Sequence, residues 1–159
     1  MIILLGYMGC GKSSVGKYLS QNHNLSYCDL DDYIEKKENK TISSIFQERG
    51  EIYFRKVEHQ YLKQIINQNT IDILALGGGT PCYSNNMEII EKHKIKSFYL
   101  KIDLETLTNR LFLQKFQRPL IADINSKKEL KDFIRKHLFE RQFYYRKADE
   151  VINVSDLSI

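Results

Sequence analysis

The feature that most constrains the fold is a glycine-rich stretch near the start of the chain, Gly6-Tyr7-Met8-Gly9-Cys10-Gly11-Lys12-Ser13. It follows the pattern G-x-x-x-x-G-K-[ST], in which backbone N–H groups cradle phosphates, the lysine reaches the β- and γ-phosphates and the hydroxyl binds Mg²⁺. The apolar run Ile2–Leu5 precedes it, and helical spacing follows from Lys12 to about Gln21. Strand, glycine loop and helix are the context that the motif needs, so a nucleotide-binding loop is favoured over a glycine turn with an incidental lysine.

Length and charge exclude several classes of protein. The 159 residues suit one domain, and the net charge of +4 is spread among interspersed acidic and basic residues. That charge suits small anionic substrates but is too mild to predict nucleic-acid binding. No apolar stretch approaches the length of a membrane span, and the apolar start lacks the basic residues of a signal peptide. Three cysteines without metal-type spacing indicate reduced thiols, so we expect a cytoplasmic protein with no membrane partner.

Strand-like and helix-like segments alternate along the rest of the chain. A helix break is expected at Arg49-Gly50, and the apolar stripes of the helices include Ile52 and Phe139. Alternation of this kind predicts a parallel sheet covered by helices on both faces, with ligands at the carboxyl ends of the strands. The predicted strands are Ile2–Leu5, Leu25–Asp29, Ile71–Leu76, Ser97–Ile102 and Val151–Val154.

A carboxylate cluster, Asp29-Leu30-Asp31-Asp32, follows the second predicted strand. Phosphoryl transfer with a metal ion needs carboxylates near Mg²⁺ and one that accepts a hydrogen bond from the attacking hydroxyl. The alternative is structural, because Asp31 or Asp32 could cap the following helix. The residues themselves leave both interpretations open.

A triple glycine and three arginines also point to a ligand. Gly77–Gly79 ends the third predicted strand, where close approach of a ligand to the backbone is a good reason for such a costly sequence. Arg118 lies in a stretch of weak periodicity, which suits a lid that closes over phosphate. Arg55 could instead pair with Glu58, and Arg141 could instead interact with a helix dipole.

Taken together and in this order, these residues resemble the shikimate kinase family over nearly the whole chain. The resemblance implies a P-loop, nucleoside-monophosphate-kinase-like fold, a three-layer α/β/α arrangement with a central five-stranded parallel sheet. It also implies a single domain over residues 1–159, with a substrate-binding segment at about 31–60 and a lid at about 112–123. The matching pieces are Gly6–Ser13, Asp29–Asp31, Ser44–Phe46, Gly50-Glu51, Phe54-Arg55, Glu58, Gly77–Gly79, Arg118–Leu120, Glu140-Arg141, Tyr144 or Tyr145, and Ala148-Asp149.

The reaction implied by the resemblance is transfer of the ATP γ-phosphate to shikimate, giving shikimate 3-phosphate and ADP within aromatic amino-acid biosynthesis. A monomer is expected, with one Mg²⁺ per subunit held directly by Ser13 and through water by Asp29. The implied catalytic residues are Lys12, Asp31 and Arg118. The implied ATP-binding residues are Gly9, Cys10, Gly11, Lys12, Ser13, Ser14, Arg110 and Arg118. The implied shikimate-binding residues are Asp31, Arg55, Gly77, Gly78, Gly79 and Arg141.

Two departures from the family pattern bear on this assignment. Ala75 stands where the family usually has Ser or Thr able to contact magnesium-bound water, and the lid sequence Phe112–Gln117 is unusually apolar.

One alternative function is that of another small-molecule P-loop kinase, such as a gluconate or nucleotide kinase, which would not need two arginines to bind a cyclic carboxylate. The other is a regulatory nucleotide-binding module, which would not need to retain Asp31 or Arg118.

Overall fold

A computed structural model describes residues 1–115 and 118–155, with five strands and six α-helices in these ranges. Short 3₁₀ turns lie at Thr80–Cys82 and Pro119–Ile121. The strands are β1 (Ile2–Leu5), β2 (Tyr27–Asp29), β3 (Ile73–Ala75), β4 (Lys96–Lys101) and β5 (Glu150–Asn153). The helices are α1 (Lys12–His23), α2 (Leu30–Glu38), α3 (Ile42–Gln68), α4 (Asn86–Lys92), α5 (Leu104–Leu113) and α6 (Lys127–Tyr145).

The strands form one parallel sheet in the order β2-β3-β1-β4-β5, with helices around it, which confirms the predicted fold class. Ala75 is in register with Leu4 on one side and with Asp29 on the other. The glycine loop, the aspartate cluster and the triple glycine therefore leave the sheet at the same edge.

Two predicted strands are shorter than their apolar runs. β2 begins at Tyr27 rather than Leu25, and β3 begins at Ile73 rather than Ile71. Side-chain hydrogen bonds add to the backbone hydrogen bonds at this end of the sheet, where the Asp72 N–H donates to the Ser26 carbonyl oxygen at 3.2 Å. The Asp72 carboxylate accepts hydrogen bonds from the Ser26 hydroxyl at 2.7 Å and from the Ser26 N–H at 2.9 Å.

The core lies between the sheet and the helices, and two predicted core positions fall outside it. Ile52 is 89% exposed and Phe139 is 76% exposed, so their assignment to apolar stripes is wrong. The predicted break at Gly50 is present as a kink inside α3, with φ 78° and ψ 173°. Beyond the kink, Ile52 lies about 140° around the helix from the buried Val57, on the opposite face. Nowhere in the described ranges is there a helix long and apolar enough to span a membrane.

Candidate active site

The glycine loop, residues 6–13, turns from β1 into α1 and wraps around its own lysine. Gly6 has φ +143°, and a Cβ there would lie 2.8 Å from the carbonyl oxygen of Leu100, so only glycine fits. The Lys12 ammonium donates hydrogen bonds to the carbonyl oxygens of Gly6 at 2.8 Å and of Tyr7 at 3.0 Å. The ammonium group therefore lies inside the loop, where it would meet a bound phosphate.

Ser13 and Asp29 meet beside the loop, as the predicted metal site requires. The Ser13 hydroxyl donates to Asp29 Oδ2 at 2.8 Å, and the Tyr27 hydroxyl donates to the same oxygen at 3.3 Å. Hydroxyl and carboxylate oxygens are hard ligands that fit Mg²⁺. No group of three or more His, Cys, Asp or Glu side chains that could hold a metal occurs within residues 1–115 and 118–155. The donor set thus fits an ion that takes its remaining ligands from phosphates and water.

Asp29 has a second role, because it caps α2. Its Oδ1 accepts a hydrogen bond from the Asp31 N–H at 3.1 Å. The structural alternative that assigned this cap to Asp31 or Asp32 is therefore wrong, since the cap forms where β2 passes directly into the helix. Asp31 lies in the first helical turn instead, with its carboxylate against Gly77, where a Cβ would lie only 2.5 Å from Oδ1.

The Asp31 carboxyl has strongly altered acidity. Burial, together with the charges of the neighbouring Asp29 and Glu58 carboxylates, raises its pKa from 3.8 to about 7. Lys12 and Arg55 act in the opposite direction. A carboxyl group that titrates near neutral pH beside the phosphate loop can accept a proton from an attacking hydroxyl.

Arg55 is held against the triple glycine by a buried carboxylate. Its Nη1 donates to Glu58 Oε2 at 2.9 Å, while the Thr80 hydroxyl donates to Glu58 Oε1 at 2.6 Å. Glu58 is only 1% exposed. A Cβ at Gly79 would lie 2.8 Å from Arg55 Nη2, so the glycine leaves room for the guanidinium group. The alternative pairing with Glu58 is therefore present, and it fixes Arg55 beside the carboxyl end of β3. The Tyr83 ring adds a cation–π contact with Arg55, its centroid 3.9 Å from the guanidinium carbon.

Arg141 approaches the same region from α6. Its guanidinium carbon lies 5.9 Å from the centroid of the Tyr7 ring. Burial raises the pKa of the Cys82 thiol to about 11, and the charges of Arg141 and Arg55 act against that rise. Both guanidinium groups are thus within electrostatic range of one thiol beyond the triple glycine, an arrangement that suits an acceptor carrying a carboxylate.

A cleft of about 510 Å³ joins most of the predicted site residues, and Met8 and Gln114 also line it. Arg55, Gly79 and Arg141 lie outside its lining. The Cys10 side chain is fully buried, with Sγ 3.8 Å from Lys12 Nζ, so any phosphate contact of Cys10 would come from its backbone. The predicted residues that line the cleft are Gly9, Gly11, Lys12, Ser13, Ser14, Asp29, Asp31, Gly77, Gly78, Arg110 and Arg118.

Arg118 borders this cleft from the predicted lid. Burial lowers the pKa of its guanidinium, and its buried Nε has no hydrogen-bond partner in the structure. An unsatisfied buried donor beside a phosphate loop suits a bound anion. Residues 116–117 of the predicted lid, about 112–123, lie outside the described residues.

The sequence interpretation did not identify one supporting side chain, Thr80, and left the identity of a second open. Thr80, fully buried, completes the hydrogen bonding of Glu58. The choice between Tyr144 and Tyr145 was open, and Tyr145 is the buried residue, donating to the Gly78 carbonyl oxygen at 2.6 Å. The sequence signal that favours Tyr145 over Tyr144 is spacing, because Tyr145 follows Arg141 by four residues and therefore shares its helix face.

Comparison with known proteins gives one consistent result. The sequence model of the shikimate kinase family matches residues 8–159. A shikimate kinase of Flavobacterium johnsoniae is 47% identical over 158 residues, covering 99% of this chain and 91% of the relative. A crystal structure of shikimate kinase from Bacteroides thetaiotaomicron has a TM-score of 0.90 at 35% identity, covering 99% of this chain and 88% of that one. Shikimate kinase from Acinetobacter baumannii, solved in complex with shikimate, has a TM-score of 0.83 at 32% identity, covering 95% and 81%.

Proposed function

Since this chain belongs to the shikimate kinase family, we propose that it transfers the γ-phosphate of ATP to the 3-hydroxyl of shikimate, giving shikimate 3-phosphate and ADP. The observation that carries the proposal is the position of Asp31 and Lys12 in the lining of one cleft. One side of this cleft carries groups that can bind phosphate. The other side carries a carboxyl group that can accept a hydrogen bond from an attacking hydroxyl.

The donor half consists of the glycine loop, Arg110 and Arg118. Lys12 exchanges its carbonyl partners for phosphate oxygens, and the Arg118 Nε gains the acceptor that it lacks. We assign Ser13 as a direct ligand and Asp29 as a water-mediated ligand of one Mg²⁺ per subunit, which neutralises phosphate charge when bound. Because β3 carries Ala75 rather than Ser or Thr, the hydroxyls beside the Asp29 carboxylate come from Ser13 and Tyr27.

The acceptor half binds a small cyclic carboxylate. Arg55 and Arg141 hold the shikimate carboxylate, because guanidinium groups match its geometry. Asp31 accepts a hydrogen bond from the attacking hydroxyl and takes up its proton, while the backbone of Gly77–Gly79 leaves room for the ring. We further propose that the protein acts as a cytoplasmic, single-domain monomer.

A coupled assay of ADP release tests the proposal, with shikimate, gluconate and nucleoside monophosphates as separate acceptors. We expect turnover with shikimate alone. Turnover with gluconate or a nucleotide would refute the assignment of the acceptor, and binding of ATP and shikimate without turnover would indicate a regulatory module.

Two variants test the residue roles. Asp31→Asn should lower kcat by about a hundredfold or more with ATP binding near wild type, because only the acceptor half is changed. Asp32→Asn is the matched control, since Asp32 lies next to it on α2, outside the cleft lining, and should leave kcat unchanged. Arg141→Ala should weaken shikimate binding far more than ATP binding, and equal weakening of both would contradict a carboxylate clamp.

A further inference from the structure

A hydrogen bond joins the glycine loop to α6 at a position that the proposed mechanism does not use. The Tyr7 hydroxyl and His137 Nδ1 are 3.0 Å apart, although 130 positions separate the two residues. The Tyr7 side chain is 1% exposed, and burial raises the pKa of its phenol, so the hydroxyl keeps its proton. The rings of Tyr7 and His137 meet edge to face, with centroids 6.0 Å apart.

His137 lies one helical turn before Arg141, and Tyr145 lies one turn after it. Residues four apart on a helix share a face, so the three side chains form one stripe on α6. The stripe is attached to the site at both ends. His137 bonds to Tyr7 of the glycine loop, and Tyr145 donates to the carbonyl oxygen of Gly78 at 2.6 Å. Arg141, in the middle of the stripe, has its guanidinium carbon 5.9 Å from the Tyr7 ring centroid.

We propose that the Tyr7–His137 hydrogen bond is a positioning element for the acceptor, which holds α6 in the rotation that directs Arg141 to the carboxylate of shikimate. The inference rests on the proposed function. It assigns Tyr7 and His137 as positioning residues, since neither is required to touch shikimate.

The backbone of the loop does not depend on this bond. The carbonyl oxygen of Tyr7 accepts hydrogen bonds from Lys12 Nζ at 3.0 Å and from the Cys10 N–H at 3.3 Å, and the phenol takes no part in either. His137 is also outside the lining of the cleft that holds Lys12. Loss of the hydroxyl should therefore affect the acceptor and leave the nucleotide half intact.

The experiment compares steady-state kinetics of wild type, Tyr7→Phe, His137→Leu and the double variant. We expect each single variant to raise KM for shikimate about threefold to tenfold, the value of one hydrogen bond, with KM for ATP and kcat unchanged. Because both substitutions remove the same bond, the double variant should match the single variants rather than multiply their effects. His137→Asn should restore a low KM, since the asparagine amide can occupy the position of Nδ1.

Tyr144→Phe is the matched control, because it removes a hydroxyl from the same helix outside the stripe and should change neither KM. Far-UV circular dichroism and thermal unfolding establish that each variant is folded. Equal increases in both KM values, an unchanged KM for shikimate in Tyr7→Phe, or multiplicative effects in the double variant would each overturn the inference. The wild-type measurement distinguishes failure of this inference from failure of the proposed function, since absence of shikimate phosphorylation by the wild type refutes the function itself.

Discussion

Replacing Asp31 by asparagine should stabilise the protein while it removes activity, and the gain should grow with pH. The reason is that burial, together with the Asp29 and Glu58 carboxylates, raises the pKa of Asp31 from 3.8 to about 7. Between these two pH values the folded protein retains a proton that the unfolded chain has lost. The free energy of unfolding therefore falls as pH rises across this window. Asparagine carries no charge, so this loss disappears in the variant.

The size of the effect follows from the pKa shift. At about 1.36 kcal/mol per pKa unit, the raised pKa lowers the free energy of unfolding by about 4 kcal/mol at about pH 8 and by about 1.5 kcal/mol at about pH 5. New hydrogen bonds of the amide add a contribution that does not depend on pH. The informative quantity is therefore the difference between the two pH values, an added stabilisation of about 2.5 kcal/mol at the higher pH. For a domain of this size it corresponds to a Tm difference of about 5–10 °C.

Urea unfolding followed by far-UV circular dichroism measures this difference, with EDTA present and nucleotide absent so that no ligand masks the charge. Asp32→Asn serves as the control, because Asp32 occupies the same helical turn but is exposed, so that solvent screens its charge. Its change in unfolding free energy should differ little between the two pH values. Equal stabilisation by Asp31→Asn at both pH values would refute the reasoning, since it would mean that Asp31 is ionised with an ordinary pKa in the folded protein.

Two further predictions concern packing around the site. Glu58→Ala should lower the unfolding free energy by about 3–5 kcal/mol, because it leaves the Arg55 guanidinium without its buried partner. Glu51→Ala removes the exposed partner of the same arginine and should cost less than about 1 kcal/mol, and comparable losses in urea unfolding would contradict this ranking. Gly16→Ala should lower Tm by several degrees despite the better helix propensity of alanine, worth about 1 kcal/mol, because its Cβ would lie 2.2 Å from the Tyr27 ring. An unchanged Tm would show that the ring moves aside without cost.

Much of the fold and of the donor half could be predicted from local patterns. Residues 6–13 follow a motif whose phosphate-binding groups come from one continuous stretch of backbone. The strand, loop and helix that the motif needs can therefore be recognised from consecutive residues of the sequence. The alternation of strands and helices predicted a parallel sheet, and such a sheet brings the ends of its strands to one edge. The family resemblance rested on the order of the motifs, and the comparisons confirm it.

Which side chains are buried was much harder to predict from these patterns. Ile52 was assigned to an apolar stripe but is exposed, because beyond the kink at Gly50 it lies about 140° around the helix from the buried Val57. Asp31 matched a helix cap, yet Asp29 supplies that cap and leaves Asp31 to face Gly77. The surroundings of Asp31 depend on Gly77, a neighbour distant in sequence, which periodicity does not encode.

The sequence by itself determined the glycine loop, the parallel α/β architecture and the family, because each depends on short contiguous patterns or on their order. Only the tertiary structure decided the electrostatics and the positioning of the acceptor half. The raised pKa of Asp31 requires burial beside Asp29 and Glu58, and the Tyr7–His137 contact joins residues 130 positions apart. The physical reason is that desolvation and hydrogen bonding between distant segments exist only after the chain has folded.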